Sequence, residues 1–213
     1  LKPVKLDYTA MAAIGGQDIE IGLAFELSKA VRGGRNIWRL ITAQTSDMGS
    51  AVDTFDVDQA SLLPLYRGIK QGGTTVKLDF SETEIVGKMA MGANEMPLTT
   101  KLDAPVYGSD AALELVMIAL PLAPGYKTSL RTFDILTQSV KVMSLEVTGI
   151  ENVTVPAGTF EAYKIELRDM SGEPGGGTIY IGTGAVRQVV RSVMQLPAMM
   201  GGGTITTDLK AVK

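Results

Sequence analysis

The chain has 213 residues and a net charge of −3, with a pI near 5.1. It contains no cysteine and no histidine, which excludes disulfides, thiol nucleophiles, cysteine-ligated zinc and catalysis by a histidine base. Lysine and arginine are scattered along the chain, so no nucleic acid partner is predicted. The longest apolar run, Leu115–Ala123, contains a proline and is too short to span a bilayer.

The first half of the chain predicts a series of strands. Apolar and polar residues alternate from Ile19 to Leu27, which is the period-two pattern of a half-buried strand. The glycine pair 33–34 predicts a turn, and strands follow over 36–45 and 51–57. Proline interrupts the apolar segment Leu62–Tyr66, which favours an edge strand or a crossing connection there. Alternation then predicts three more strands, which include Val76, Ile85 and Leu98.

One helix is predicted after residue 108. Ser109 or Asp110 is expected to cap its first turn with a side-chain oxygen. Three- and four-residue spacing places an apolar stripe on one helix face, comprising Ala112, Leu113, Val116, Met117 and Leu120. Pro121 and the Pro124–Gly125 pair end the helix.

The second half returns to strands. They are predicted over 129–135, 139–147, 163–168, 178–181, 186–196 and 204–212. Within Val153–Glu166, Pro156 ends one strand and Gly158 permits the positive φ of a tight turn before the next strand. Alternation places Ile165 on one face of that strand and Ala162 on the other.

This series of elements predicts a mainly β (α+β) fold. About ten to twelve strands with one helix favour a curved antiparallel sheet, a half-barrel or open barrel, with the helix packed on its concave side. No strand–helix–strand alternation occurs, which disfavours a parallel sheet. The length fits one domain over residues 1–213.

The sequence offers no strong chemical motif. The spacing of Asp53, Asp56 and Asp58 does not match a calcium loop, so a solvated strand edge is favoured over a metal site. The glycine clusters at 175–177 and 201–203 lack the lysine and the following helix of a phosphate-binding loop. Paired carboxylates could run a glycosidase without histidine, but no motif positions such a pair. No catalytic residue, metal or cofactor is predicted.

The 11 methionines allow two readings. Methionine fills irregular gaps in cores, and it also lines apolar surfaces that accept varied ligands. The sequence does not decide between core packing and ligand binding by these methionines.

Several segments carry a family resemblance that extends from about Asp53 to the end. They are Leu62–Tyr66, Leu120–Tyr126, Val153–Phe160, Tyr180-Ile181 and Val189–Arg191. The chain resembles a bacterial envelope family known as a domain of unknown function, DUF3108. That family is similar in fold to the lipoprotein-localisation factors LolA and LolB, which are carriers with a curved sheet closed by helices around an apolar cavity for acyl chains. The resemblance implies a periplasmic or otherwise extracytoplasmic domain with a hydrophobic pocket, and it transfers no catalytic residue.

The leading hypothesis is therefore a non-enzymatic extracytoplasmic domain that binds an apolar small molecule, a lipid or a lipoprotein acyl chain. The residues expected to line its pocket are Phe25, Trp38, Leu40, Phe80, Met89, Met91 and Met117. The alternative is a structural or protein-interaction module of the cell envelope, with an exposed sheet edge or the apolar segment 196–203 contacting an unknown protein partner. A hydrolase is the least supported class, because no motif positions carboxylate, serine, lysine or tyrosine chemistry.

Overall fold

The computed structural model describes residues 1–47, 49–135, 137–171, 176–196 and 202–213. Within them lie fourteen strands and one helix. Their bounds are β1 Val4–Ile14, β2 Gln17–Arg32, β3 Arg35–Ser46, β4 Gly49–Asp58, β5 Pro64–Gln71, β6 Thr74–Phe80, β7 Glu84–Met91, β8 Asn94–Lys101, α1 Ala111–Ala119, β9 Lys127–Asp134, β10 Ser139–Val155, β11 Gly158–Asp169, β12 Gly176–Gly182, β13 Val189–Gln195 and β14 Thr204–Val212. No helix in this part of the chain has the length and apolar character needed to cross a membrane.

All fourteen strands belong to one antiparallel sheet in the order β8-β7-β6-β5-β4-β3-β2-β1-β14-β13-β12-β11-β10-β9. Chain neighbours pair throughout each half, and the first and last strands join the two halves in the middle. The edge strands β8 and β9 do not pair, so the sheet stays open and is not closed into a barrel. The connection between β8 and α1 reaches β9 instead, where the Tyr107 N–H donates to the Arg131 carbonyl at 2.7 Å.

The helix lies inside the curl of the sheet and is buried on two sides. Leu113, Val116 and Met117 pack in a cluster with residues of β9 to β13. Ala112 and Leu115 pack in another cluster with residues of β2 to β4. A nine-residue helix is too short to be stable in water by itself, so this packing maintains it. The predicted mainly β fold with one helix on the concave side of a curved sheet is confirmed.

The tip of the β10–β11 hairpin forms a third cluster. Val153, Val155 and Ala162 pack against Tyr8 of β1 and Leu209 of β14, and the Ala157 N–H donates to the Leu209 carbonyl at 3.1 Å. Ala162 and Ile165 point to opposite faces of β11, yet both are fully buried. Ile165 packs in the cluster with Leu113 of the helix, and Ala162 packs in the third cluster. The hairpin itself is confirmed, with Pro156 and Gly158 at its turn.

One prediction of local structure is wrong, and one strand is not predicted. The segment Leu62–Tyr66 is neither an edge strand nor a crossing connection, because Pro64 begins β5, which lies between β4 and β6. Proline is tolerated at the first position of a strand, and the register shifts beside it, between Asp56 and Val57. The opening strand β1 is missing from the predicted strands although it carries the same alternation, with Leu6 and Tyr8 buried on one face and Lys5 on the other.

The expected helix cap is also wrong, and its replacement is an ion cluster around the buried Arg67. Asp110 occupies the N-cap position with φ of 55°, but its side chain makes no capping hydrogen bond. The guanidinium of Arg67 instead donates to Asp110 at 2.8 Å, to Asp53 at 2.6 Å and to the Ser109 hydroxyl at 2.9 Å. The same guanidinium lies 4.5 Å from the centre of the Phe55 ring. One cation on β5 thereby ties the start of α1 to β4.

We expect Arg67→Met to destabilise the protein by about 3–5 kcal/mol, because it leaves the Asp53 carboxylate desolvated and without its cation. Burial raises the pKa of Asp53 above its ordinary value even while Arg67 opposes that rise. Urea unfolding at neutral pH measures the loss. Asp53→Asn added to Arg67→Met should recover part of it.

The matched control is Lys88→Met, which removes a cation from an exposed ion pair with Glu95. Exposed pairs contribute about 0–1 kcal/mol. Equal losses in the two variants would contradict the assignment of Arg67 as the anchor of the helix.

Candidate functional site

A cavity of about 460 Å³ lies between α1, strands β1 and β2, and the connection from β12 to β13. It exists because α1 fills only part of the space inside the curled sheet. The walls formed by β1, β2 and α1 are mainly apolar and include Val4, Leu6, Phe25, Leu27, Leu115 and Ile118, whereas the connection from β12 to β13 adds polar groups. A cavity of this size and character falls within the range of small-molecule binding sites in proteins.

Glu114 brings a carboxyl group into this apolar wall. The helix carries it between the buried residues Leu113 and Leu115, and it lines the cavity. No hydrogen bond or ion pair to Glu114 occurs within the residues that the structure describes. Glu114 is half-buried, so part of its surface remains accessible. Burial, helped by the negative charge of Asp110, raises the pKa of Glu114 to about 7.

Tyr8 lines the same cavity from β1. Its hydroxyl donates to the Val189 carbonyl at 3.1 Å. Burial, and secondarily the charge of Glu114, raises the pKa of Tyr8 well above its ordinary value. Tyr8 is therefore neutral at physiological pH, and its hydroxyl hydrogen is already donated to the backbone carbonyl of Val189.

Within the described ranges, two positive side chains line the cavity, Lys2 and Arg187. Lys2 is exposed, as is the segment 184–186 that precedes Arg187. Arg187 donates to the Leu120 carbonyl at 2.6 Å and lies 5.5 Å from the centre of the Tyr163 ring. These contacts hold the guanidinium of Arg187 at the C-terminal end of α1.

Of the seven residues expected to line a pocket, Phe25 lines this cavity. Trp38 and Leu40 belong to the core cluster between β2–β4 and the helix. Met117 is fully buried in the cluster on the other side of the helix. These three side chains therefore pack the helix against the sheet.

The remaining three lie in the β6–β8 region. Phe80 and Met89 are partly buried against the cluster that includes Phe133, and Phe80 also lines a smaller cavity of about 130 Å³. Met91 is 58% exposed. No methionine among the described residues lines the larger cavity. Ligand binding by any of the seven stays a prediction.

Glu114 was not among the expected site residues, although the sequence marks it. It is the single charged residue between Ala111 and Ala123, within an otherwise apolar stretch. A lone charge inside the apolar stripe of a buried helix is unusual, since ionised groups are costly to bury without a partner.

The three acids considered as a metal site have structural partners instead. Asp53 binds Arg67, and the fully buried Asp56 accepts from Arg39 at 2.7 Å and 2.8 Å. Asp58 accepts backbone N–H groups from 60 and 61 in the following turn. Across the described ranges, no group of three or more acidic side chains is arranged to hold a metal ion. Of the apolar segment 196–203, residues 197–201 lie outside the described residues.

The position of Glu114 predicts how stability varies with pH. A carboxyl whose pKa is raised on folding stabilises the folded state while it is protonated, and this contribution is lost as pH rises through the folded pKa. The rise from 4.5 to about 7 corresponds to about 3 kcal/mol lost between about pH 4.5 and pH 8. Glu114→Gln should flatten this part of the curve and be the more stable protein at about pH 8.

Denaturant unfolding across this pH range measures both curves. The chain has no histidine, so the background titration near neutrality is small. Glu20→Gln, which removes the same charge at an exposed position, should give a curve parallel to that of the native protein. Parallel curves for Glu114→Gln as well would show that Glu114 is well solvated.

One solved structure shares the fold of this chain. The chain is similar to a β-barrel-like protein of the unknown-function family DUF1849 from Brucella abortus, with 12% identity, coverage of 100% of this chain and 98% of that one, and a TM-score of 0.60. It also aligns with a putative exported protein with a YmcC-like fold from Bacteroides fragilis, with 12% identity, coverage of 100% and 96%, and a TM-score of 0.38. Among curated proteins, none matches the sequence. The family model of DUF3108, described as a protein of unknown function, matches residues 12–210, and the chain therefore belongs to the DUF3108 family.

Proposed function

We propose that this protein is a non-enzymatic, extracytoplasmic domain that binds an apolar ligand, a lipid or an acyl chain, in the cavity beside α1. The observation that carries the proposal is the cavity itself, about 460 Å³ with mainly apolar walls on the side of β1, β2 and α1. A cavity of this size would hold roughly 15 water molecules at liquid density. Replacing that water with alkyl groups is favourable, because apolar walls offer water few hydrogen-bond partners.

The energetics of such binding follow from alkyl burial. Each methylene transferred from water to an apolar site contributes about 0.8 kcal/mol. The strands and the helix that form the walls are fixed by the core clusters on either side of α1. A largely preformed cavity avoids much of the ordering cost that weakens binding to flexible surfaces.

The rim gives a route for the ligand. Leu1, Lys2 and the segment 184–186 are exposed where the cavity approaches the surface. A chain that enters there meets Val4 and Phe25 before it reaches Leu115 in the wall formed by the helix. The mechanism needs no bond to be made or broken, which suits a chain that has neither histidine nor cysteine.

The extracytoplasmic location is supported by the resemblance to envelope proteins noted for the sequence motifs. The same resemblance links the fold to the LolA and LolB carriers, whose cavities hold acyl chains. In this protein, the single helix α1 lies on the concave side of the sheet and contributes one wall of the cavity.

A protein-interaction module is the second candidate. Met91 and Met96 are 58% and 53% exposed, and they lie on β7 and on the edge strand β8. An unpaired edge with exposed apolar side chains is a surface on which another chain can dock.

We expect delipidated protein to bind hexanol, octanol and decanol with affinities that rise about fourfold for each added methylene. Isothermal titration calorimetry measures the series. Ala119→Trp places an indole at the cavity wall and should weaken decanol binding by about tenfold or more.

Ala123→Trp is the matched control, because Ala123 is exposed and does not line the cavity. It should bind decanol as the native protein does. Absence of binding by the native protein, or equal binding by the two tryptophan variants, would argue against the cavity as the binding site and leave the interaction module as the better candidate.

A further inference from the structure

We propose that the cavity selects amphiphiles that carry a protonated primary amine on an alkyl chain, with the Glu114 carboxylate pairing with the ammonium head. This inference rests on the proposed function and adds to it the class of ligand. It is carried by the position of Glu114, whose carboxyl group faces an apolar cavity and has no partner among the described residues.

The first step concerns what a bound chain does to Glu114. While the cavity is filled by solvent, water can satisfy the carboxyl oxygens. An alkyl chain that displaces this water removes those hydrogen bonds, and an ionised carboxylate without any partner is costly in an apolar site. A ligand therefore binds well if it supplies its own donor to Glu114, or else it forces the carboxyl group to take up a proton.

The second step concerns the charged and titratable groups around Glu114. On its own element, Asp110 is negative and is paired with Arg67. On β1, the single proton of Tyr8 is donated to the Val189 carbonyl. In the connection after β12, Arg187 is directed to the Leu120 carbonyl and the Tyr163 ring.

The remaining cation that lines the cavity, Lys2, is exposed at the rim. No described cation thus neutralises Glu114 from within the wall. The interior of the cavity is negative when Glu114 is ionised, and an anionic head would find its positive partners only at the rim.

The third step concerns the chemistry of the head group. An ammonium has three donors and no acceptor, so it matches a carboxylate that lacks any donor. Hydrogen bonds between charged groups are shorter and about twice as strong as neutral ones. A neutral hydroxyl head can donate to Glu114 but leaves its charge uncompensated, and a carboxylate head of the same length adds a second negative charge.

The test compares three ligands of equal chain length, which are decylamine, decanol and decanoate. At about pH 8, where Glu114 is mostly ionised, decylamine should bind about ten- to a hundredfold more tightly than decanol. In Glu114→Gln the ratio of these two affinities should fall to about one. Glu20→Gln, which removes an exposed carboxylate, should keep the native ratio and so controls for general attraction of cations.

A second measurement needs only the native protein. At about pH 6, where Glu114 is mostly protonated, binding of decylamine should release about one proton, and at about pH 8 the release should become small. Calorimetry in two buffers with different ionisation enthalpies counts these protons. This result does not depend on whether Glu114→Gln folds normally.

The outcomes separate this inference from the proposed function. Decanol binding as tightly as decylamine, with no proton release, would overturn the amine selectivity and leave an apolar binding protein. Decanoate binding most tightly would also overturn it and assign selectivity to Lys2 and Arg187 at the rim. Failure of all three ligands to bind would overturn both the inference and the proposed function.

Discussion

The burial of α1 inside the curled sheet is the constraint on which the rest of the structure depends. The helix separates two core clusters, with Ala112 and Leu115 in one and Leu113, Val116 and Met117 in the other. Residues of both halves of the sheet are buried against it. Because the helix is only nine residues long, its position is set by contacts at its sides and by the Arg67 cluster at its start.

The cavity is a consequence of the same short helix. A helix that ends at Ala119, just before Pro121, cannot fill the space bordered by β1, β2 and the connection to β13. The space that remains takes its apolar walls from residues that would otherwise be core. Its one unusual feature, Glu114, comes from the helix itself and gives the apolar space a single charge-bearing group.

The sequence predicts the fold well because the strands of an antiparallel sheet alternate in polarity. The strands β2 to β4 and the 153–166 hairpin follow directly from that pattern. The pattern does not tell which strands are neighbours beyond hairpins. It therefore could not place Pro64 in the interior of the sheet or pair β1 with β14.

The site was predictable only in part, for a related reason. Phe25 lies on the cavity wall, whereas Trp38, Leu40 and Met117 are equally apolar and lie in the core. Whether an apolar side chain lies in the core or on the cavity wall depends on where the helix ends in space. The type of side chain does not determine that position. Glu114 could have been identified from its isolation in an apolar stretch, because charged residues are rarely buried without a partner.

The pairing of β1 with β14 also governs the order in which the chain can fold during synthesis. Leu6 lies beside Val212 in the register, and the Lys213 N–H donates to the Lys5 carbonyl at 2.9 Å. Strands β1 to β8 can assemble as soon as they emerge from the ribosome, but one side of β1 then has no neighbour until the last strand is made. Throughout that interval, β1 is an open edge that a second nascent chain could pair with. The first and last strands of the sheet thus join its two halves, and release of the chain before β14 is made would leave that edge exposed.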